Sequence, residues 1–415
     1  MTTTAKLPAT APFWGTDAHR AYLTQDAKRQ FDFFARGLDS RGGFAPQSMN
    51  GAPIKDAPRE LHATTRMVHS FALGQLAGRG DGATMVDHGM AALRDCHRDA
   101  RHGGYAWSFD EDGRVQDGQK LAYGHAFVLL AGASAKMAGH PEADALIADV
   151  MEVIDRHFWD SGLGRMREEY AQDWDPISQY RGMNANMHSI EAFLTAFEAT
   201  GEREFLDRAL SIVDFFVAKI GASHGWRLPE HFTEDWKVDP TYEGNPMFRP
   251  AGTTPGHSLE LSRLLLQAWD LSGRSRSDLL LWSEALYTRA LSDAWDADLG
   301  GFIYTVAADG TPLRRSRYWW PLTEAIGAAA ARLKCDPQEI TEAQYLQFWQ
   351  TADALFIDRM QGGWIPEVGP DNLPDDRQFT GKPDIYHSIQ ATLFPLVPQL
   401  SYQARALAEL GLDLN

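Results

Sequence analysis

A short glycine turn recurs six times along this 415-residue chain. Its copies read RGGFAP, HGGYAW, SGLGRM, SHGWRL, LGGFIY and QGGWIP, and their last glycines are Gly43, Gly104, Gly164, Gly225, Gly301 and Gly363. The spacing is therefore 61, 60, 61, 76 and 62 residues. A fixed period of this kind is the sequence signature of a repeat architecture. The one long interval indicates an insertion in the fourth repeat, roughly HFTEDWKVDPTYEGNPMF.

Each turn lies between two segments with different apolar patterns. The segments before most turns, such as DALIADVMEVIDRHFWD, have apolar residues three and four positions apart, which predicts an amphipathic helix. After the turn comes a short extended or hairpin-like stretch, clearest in FIYTVAADGTPL with its Asp309-Gly310 pair. A second helix follows, such as LAYGHAFVLLAGASAKMA, and it is apolar on nearly every face. The repeating unit is thus two helices and a long loop.

Six helical hairpins can form either an open superhelix or a closed ring. The period alone does not choose between them, but the more apolar second helices favour a ring with six inner and six outer helices. We therefore predict an all-α fold in which residues 1–415 form a single domain. In such a ring the inner helices run parallel, so that their N-termini and the glycine-rich loops, with their short β-hairpins, gather at one mouth.

The net charge, the N-terminal segment and the cysteine content of the chain indicate which partners and which cellular compartment to expect. The net charge of −17, without a dense Lys/Arg run, argues against nucleic acid and membrane surfaces as partners. The N-terminal MTTTAKLPATAPFW resembles no signal peptide, and nowhere do 18 apolar residues follow one another. Cys96 and Cys335 are the only cysteines, which excludes a disulfide framework and favours a reducing compartment. We expect a cytoplasmic protein, and the sequence leaves open whether it forms a homo-oligomer.

Alignment of the second helices on their first turns reveals a column of histidines. Five of the six helices carry one, namely His69, His125, His188, His257 and His387, whereas the fifth has Pro321 there. Three positions later, the third to sixth repeats have Glu191, Glu260, Glu324 and Gln390. Just upstream of the column lie Arg66, Tyr123, Asn184, Trp319 and Trp320.

A lone histidine near a helix start is usually a core or capping residue, and recurrence alone can reflect ancestry by duplication. Convergence favours function, because parallel inner helices would direct imidazoles, carboxylates, an arginine and aromatic rings at one mouth. We expect His69 and Glu191 to remain structural. Aromatic faces and polar side chains together suit a carbohydrate. Two histidines can take and return a proton next to a carbonyl, which is isomerase or epimerase chemistry.

Several of these stretches resemble a known family over nearly the whole chain. TTRMVHSF, NANMHSIEAF, FRPAGTTPGHSLEL, RYWWPLTEA and KPDIYHSIQA are similar to the N-acylglucosamine 2-epimerase superfamily, whose members have an (α/α)6 barrel. Among its branches the chain looks most like the aldose-ketose isomerases, which include D-mannose and sulfoquinovose isomerases. The resemblance implies a small-molecule monosaccharide substrate and neither a cofactor nor a metal.

The resemblance also implies roles for individual residues. His257 and His387 would be the acid/base pair, and the residues that fall where the family holds its sugar are Arg66, Tyr123, Asn184, His188, Arg249, Glu260, Trp319, Trp320 and Glu324. Glu260 and Glu324 would accept sugar hydroxyls and orient the histidines. Arg249, next to the insertion, could instead be a loop arginine that pairs with acidic neighbours.

The reaction implied is the interconversion of D-mannose and D-fructose. After ring opening, a histidine removes the C2 proton and returns it to C1 through a cis-enediolate. His387 is our first choice for this transfer and His257 for ring opening, while Arg66 would stabilise the negative charge. A neutral hexose is favoured over a sulfonated one because so few cations are available, although Lys382 and Arg317 could supply more.

Five alternatives remain at this point. The same residues could catalyse 2-epimerisation of N-acylglucosamine or a related sugar, or isomerisation of sulfoquinovose. A glycoside hydrolase with paired carboxylates is a third. Metal-assisted isomerisation could use His188, His257, His387 and Glu260 as ligands. The last is a carbohydrate-binding scaffold without turnover.

Overall fold

The computed structural model describes residues 6–415. The first five residues of the N-terminal segment, which was compared with a signal peptide above, lie outside the described residues. Its α-helices are α1 Asp17–Phe34, α2 Leu61–Leu76, α3 Gly82–Ala92, α4 Ala122–Met137, α5 Ala143–Val153, α6 Met183–Thr200, α7 Arg203–Val213, α8 Pro255–Leu271, α9 Asp278–Ala294, α10 Trp319–Cys335, α11 Glu339–Thr351, α12 Tyr386–Leu393 and α13 Gln403–Leu410. Among the residues described, no helix combines the length and the apolar character that crossing a membrane requires.

The strands are two or three residues long and lie in the loops. They are β1 Arg59–Glu60, β2 Ser108–Phe109, β3 Val115–Asp117, β4 Lys120–Leu121, β5 Trp159–Asp160, β6 Arg165–Met166, β7 Glu169–Tyr170, β8 Arg181–Gly182, β9 His231–Phe232, β10 Thr305–Val306, β11 Pro312–Arg314, β12 Arg317–Tyr318 and β13 Glu367–Val368.

The helices form two concentric layers. The inner layer consists of α2, α4, α6, α8, α10 and α12, each packed against the next, and α12 packs against α2. Each outer helix packs on the inner helix that precedes it, and α1 packs on α12. The ring is therefore closed, and the predicted (α/α)6 barrel is confirmed. The additional helix α13 packs on α2 and α4.

Burial explains why the two helices of each repeat take different layers. In the inner helix α4, every residue from Gly124 to Ala135 is buried, as expected for a helix with neighbours on all sides. The outer helix α7 buries only one stripe, which includes Phe205, Leu206 and Ala209, while Glu204 faces the solvent. The sequence pattern therefore predicted both layers correctly.

The six recurring glycines share one backbone conformation. Their φ angles lie between 61° and 87°, in the left-handed region that glycine adopts without a steric penalty. Space is also short at some of these turns, since a Cβ atom at Gly104 would lie 2.7 Å from the Trp174 ring. The recurrence thus reflects a backbone requirement that each outer-to-inner connection repeats.

Backbone pairs at the mouth join neighbouring repeats. The pairs β1–β2, β4–β7, β8–β9 and β12–β13 each connect the residues before an inner helix to the loop of the following repeat. Thr253 and Val306 form an equivalent bridge. Between the sixth and first repeats, the Lys382 amide donates to the Gln47 carbonyl at 2.9 Å. These six backbone connections between neighbouring repeats were not predicted. The short hairpins that were predicted in the loops are present as β2–β3, β5–β6 and β10–β11.

Candidate active site

A cavity opens where the first turns of the inner helices converge. Its empty volume, counted out into the open mouth, is about 540 Å³. The predicted residues in its wall are Arg66, Tyr123, Asn184, His188, His257, Glu260, Trp319, Trp320 and His387. Nine of the eleven predicted site residues therefore line one cavity.

Glu324, the tenth, lies directly behind His387. The two side chains are buried, and their Nδ1 and Oε1 atoms are 2.8 Å apart. A carboxylate at this distance accepts the Nδ1 proton, which leaves Nε2 as the ring nitrogen that is available to a ligand. Glu324 is therefore placed to hold the His387 ring, which is the position that the role implied by the resemblance requires.

His257 has a carboxylate partner that the sequence did not reveal. Its Nδ1 atom lies 2.9 Å from Oε1 of Glu230, and the same oxygen accepts the backbone N–H of Thr254 at 3.2 Å. Glu260, one of the two glutamates expected to orient the histidines, makes no hydrogen bond to His257. The two predicted acid/base histidines thus have matching geometry, each with a buried glutamate behind Nδ1.

Trp320 packs against both histidines. Its ring centroid is 5.2 Å from that of His257 and 5.6 Å from that of His387. The imidazoles are therefore separated by no more than the sum of these distances, and both lie in the wall of the same cavity. Both imidazoles are thus available to one shared cavity, as acid/base chemistry on a single sugar requires.

Arg66 is fixed on three sides. One terminal nitrogen donates to Oδ2 of Asp384 at 2.9 Å and the other to the Tyr123 hydroxyl at 2.8 Å. The guanidinium also lies 4.6 Å from the ring centroids of Phe127 and Tyr386. Arg66 is therefore a pre-positioned cation whose charge is partly balanced by Asp384, a cavity residue absent from the sequence prediction.

A buried polar layer includes part of the cavity wall and the side chains directly behind it. His188 Nδ1 is 3.6 Å from Oε1 of Glu260 and 3.9 Å from Oε2 of Glu191, and burial lowers the pKa of His188 to about 4. Arg263 lies between Glu191 and Glu324, with nitrogen to oxygen distances of 3.6 and 3.4 Å. His188 is thus neutral at pH 7, and Arg263 is the cation of this layer.

The other two histidines of the column lie away from the cavity. His69 Nδ1 is 2.7 Å from the Ser134 hydroxyl, which itself donates to the Leu130 carbonyl. His125 uses both ring nitrogens, one toward the Leu121 carbonyl and the other as acceptor of the Tyr105 amide. Their contacts are those of packed core residues, as expected for His69. Glu191, also expected to be structural, accepts the Tyr386 hydroxyl within the buried layer.

Arg249, the eleventh predicted residue, lies outside this cavity. It donates to Glu169 at 2.8 Å and covers the Tyr180 ring at 4.2 Å. These residues belong to an adjoining chamber of about 1030 Å³, whose walls also include Glu60, Trp107, Asp117, Glu168 and Tyr242. The chamber shares Tyr123, Asn184 and Phe248 with the cavity. The structure thus agrees with the alternative of a loop arginine paired with acidic neighbours.

Several cavity residues were missed by the sequence analysis: His62, Met247, Phe248, Tyr304, Phe379, Pro383 and Asp384. Asp384 lies three positions before His387, within the motif KPDIYHSIQA. Its place in this motif could have identified it as a site residue. Phe248 lies in the insertion of the fourth repeat, which has no counterpart in the other repeats. No periodic pattern could have placed it.

Two groups of side chains have the spacing of metal ligands. In His188, Glu191 and Glu260, and in Glu260, Glu324 and His387, the candidate ligand atoms lie within 4.8 Å of one another. In both groups, one carboxylate is already close to the Arg263 guanidinium. A divalent cation would therefore have to bind beside a fixed positive charge.

The chain is similar to known proteins over most of its length. Residues 42–391 match the family model for N-acylglucosamine 2-epimerase. The chain belongs to this family. It is 42% identical to a D-mannose isomerase of Thermobifida fusca over 95% of this chain and 98% of the relative. A crystal structure of a D-mannose isomerase superposes with a TM-score of 0.84 at 30% identity, covering 93% of this chain and 99% of that one. The cellobiose 2-epimerase of Spirochaeta thermophila has the same fold, with a TM-score of 0.82, 23% identity and coverage of 97% and 100%.

Proposed function

We propose that the chain is an aldose-ketose isomerase that interconverts D-mannose and D-fructose. The observation that carries this proposal is the pair of histidines, His257 and His387, that line one cavity with a glutamate behind each Nδ1. Such a pair can act as acid and base on a single sugar. The D-mannose isomerases among the relatives support the choice of reaction.

The reaction begins with opening of the sugar ring, in which His257 relays the proton between the ring oxygen and the O1 hydroxyl. Nε2 of His387 then removes the proton from C2, which forms a cis-enediolate. The same imidazole returns the proton to C1 and thereby produces the ketose. Glu324 and Glu230 accept the Nδ1 protons of the two histidines, so that Nε2 is free for these transfers.

Arg66 stabilises the negative charge that develops on the enediolate oxygens. Its guanidinium is already held by Asp384 and Tyr123, so that little reorganisation is needed as the charge forms. A donor preorganised in this way typically lowers a barrier by about 3 to 4 kcal/mol.

The charges around the cavity support a neutral hexose. Arg66 is balanced by Asp384, and neither Lys382 nor Arg317 belongs to the cavity wall. Lys382 binds Asp358 at 2.7 Å, and Arg317 donates to the Leu299 carbonyl at 2.9 Å. A sulfonate would therefore find no unpaired cation among these three residues. This argues against sulfoquinovose, the sulfonated alternative, as the substrate.

Product analysis tests this function directly. The purified protein is incubated with D-mannose in deuterated water, and the sugars are separated and examined for deuterium. We expect D-fructose, and we expect His387→Gln to abolish both fructose formation and deuterium exchange at C2. Formation of D-glucose alone would show an epimerase, and the absence of any exchange would leave only a binding role.

The second candidate is 2-epimerisation of a larger sugar. The adjoining chamber favours it, because Trp107, Tyr180 and Tyr242 supply aromatic surfaces next to the cavity, with several carboxylates among them. An N-acyl group or a second sugar ring could extend into this space. Parallel assays with D-mannose, N-acetylglucosamine and cellobiose, followed by separation of the 2-epimers, distinguish the two candidates.

A further inference from the structure

Glu260 differs from the other carboxylates of the buried layer in having no hydrogen-bond partner. Its side chain is fully buried, and neither Oε1 nor Oε2 accepts a hydrogen bond within the described residues. By contrast, Glu324 accepts from His387, and Glu191 accepts from the Tyr386 hydroxyl. A buried carboxylate without donors is costly, whereas the neutral acid is much less so.

Two neighbouring carboxylates act in the same direction. Glu191 from α6 and Glu324 from α10 face Glu260, and the single guanidinium of this layer, Arg263, lies between those two residues. His188, also on α6, is neutral at pH 7 and brings no positive charge. Burial is the main reason why the pKa of Glu260 lies well above its usual value, and the negative charges of Glu324 and Glu191 raise it further.

The remaining charged and titratable neighbours do not reverse this balance. From α2, the Arg66 charge favours ionisation of Glu260, but Arg66 is paired with Asp384. From α4 and α12, the hydroxyl groups of Tyr123 and Tyr386 remain protonated, because burial raises both of their pKa values. His387 on α12 directs its Nδ1 atom to Glu324. Within the part of the chain that the structure describes, Glu260 therefore has no hydrogen-bonded cation of its own, and His188, 3.6 Å away, is neutral.

Glu260 lies where its carboxyl proton could be transferred to a bound sugar. The residue lines the cavity, and a carboxyl oxygen and a His387 nitrogen lie within 4.8 Å of each other. This carboxyl group and the His387 imidazole are therefore neighbours in the wall of one cavity. A protonated carboxyl group offers one donor and one acceptor on neighbouring oxygens, which suits the O1 and O2 atoms of a cis-enediol.

We propose that Glu260 is a neutral carboxylic acid in the resting site and shuttles a proton between O1 and O2 of the sugar. This role rests on the proposed isomerase function. As His387 takes the C2 proton, the electrons of the C2–H bond form the C1–C2 double bond and the π electrons of the C1 carbonyl move onto O1. The enediolate oxygen O1 then takes the Glu260 proton. As protonated His387 returns its proton to C1, O2 becomes the carbonyl and gives its proton to the Glu260 carboxylate. Both residues end in their starting states.

Infrared difference spectroscopy tests the neutral state without any need for activity. Spectra of the wild type and Glu260→Gln are compared at about pH 8.5, where Glu168 and Glu198, whose pKa values burial raises to about 7, are ionised. We expect a carboxylic-acid C=O band in the wild type that shifts in deuterated water and is lost in Glu260→Gln. The control Glu198→Gln should retain it. Glu260→Met serves as a second variant if Glu260→Gln does not fold.

A wild type without this band, or a band that persists in Glu260→Gln, would overturn the neutral state.

Steady-state kinetics then test the proton shuttle. Glutamine can hydrogen-bond but cannot give up a proton, so that kcat should fall roughly 10²- to 10⁴-fold while KM stays within a few-fold. An unchanged kcat would refute the shuttle. Failure of the isomerase function would instead appear as a wild type that produces no ketose, whatever its infrared spectrum.

Discussion

His257 and Glu230 are 27 positions apart in the chain, yet Nδ1 of the histidine lies 2.9 Å from Oε1 of the glutamate. Glu230 comes just before β9, in the loop between the fourth glycine turn and the insertion. It also accepts the backbone N–H of Thr254, at the start of α8. One side chain therefore ties the loop to the inner helix and to the histidine that this helix presents.

Replacement of Glu230 by glutamine should impair catalysis without unfolding the protein. The amide keeps the size of the side chain but no longer favours an Nδ1–H tautomer or stabilises a protonated ring. We expect kcat to fall roughly 10²- to 10⁴-fold with a smaller change in KM. Steady-state kinetics measure this, with the exposed Glu234→Gln from the same loop as control. Equal activity in the two variants would contradict a positioning role for Glu230.

Gly381→Ala should weaken the junction between the first and sixth repeats. Gly381 has a φ of +75°, and a Cβ there would lie 2.0 Å from the Gln47 carbonyl oxygen, which accepts the Lys382 amide. The matched control is Gly201→Ala, where φ is +76° and nothing lies within 4 Å. Left-handed strain of about 1 to 2 kcal/mol affects both variants. In chemical denaturation, Gly381→Ala should lose clearly more unfolding free energy, and equal losses would show that the contact is unimportant.

Stability should fall as the solution is acidified from about pH 6.5 to 4. Burial lowers the pKa of six histidines to about 3 or 4, namely His19, His62, His69, His97, His125 and His188. In this window the unfolded chain binds protons that the folded chain does not. The stabilisation is thus fully present above pH 6.5 and is lost as the pH falls through the window.

The slope of unfolding free energy against pH checks this expectation. His97→Gln should reduce the slope by up to about 1.4 kcal/mol per pH unit, because one fewer proton is taken up on unfolding. His224→Gln, at an exposed position, provides the control. The expectation fails if the slope of His97→Gln equals that of the wild type.

Removal of divalent cations should leave the activity unchanged. The two groups with metal-ligand spacing share Glu260, and in each of them Arg263 lies beside one of the other carboxylates. Its guanidinium repels a cation at that position. Activity is measured before and after exhaustive chelation. A loss that an added divalent ion restores would support the metal-assisted alternative.

The sequence predicted the repeated parts of the molecule well. The spacing of the glycines gave the number of hairpins, and the apolar pattern separated inner from outer helices. The alignment of helix starts found His257, His387 and Glu260, because residues at equivalent positions of parallel helices converge when the ring closes. Glu324 was found three positions after the column for the same reason.

Non-repeated parts were harder to predict. Glu230 and Phe248 lie in or next to the insertion of the fourth repeat, where no other repeat supplies a pattern. Arg249, in the same region, was expected at the sugar but lies in the adjoining chamber. Strands of two residues contain too few positions for an alternating pattern, so that the pairing between repeats was not visible. The arrangement of residues 1–415 as a single domain stays a prediction.

The pairing of Lys382 with Gln47 also bears on how the molecule comes apart. An open array of repeats has two end units, each with a neighbour on one side only, and these ends fray first. Here every hairpin has two neighbours. Loss of any one hairpin would expose the flanks of two others, so that the barrel should melt in a single transition rather than by peeling from an end.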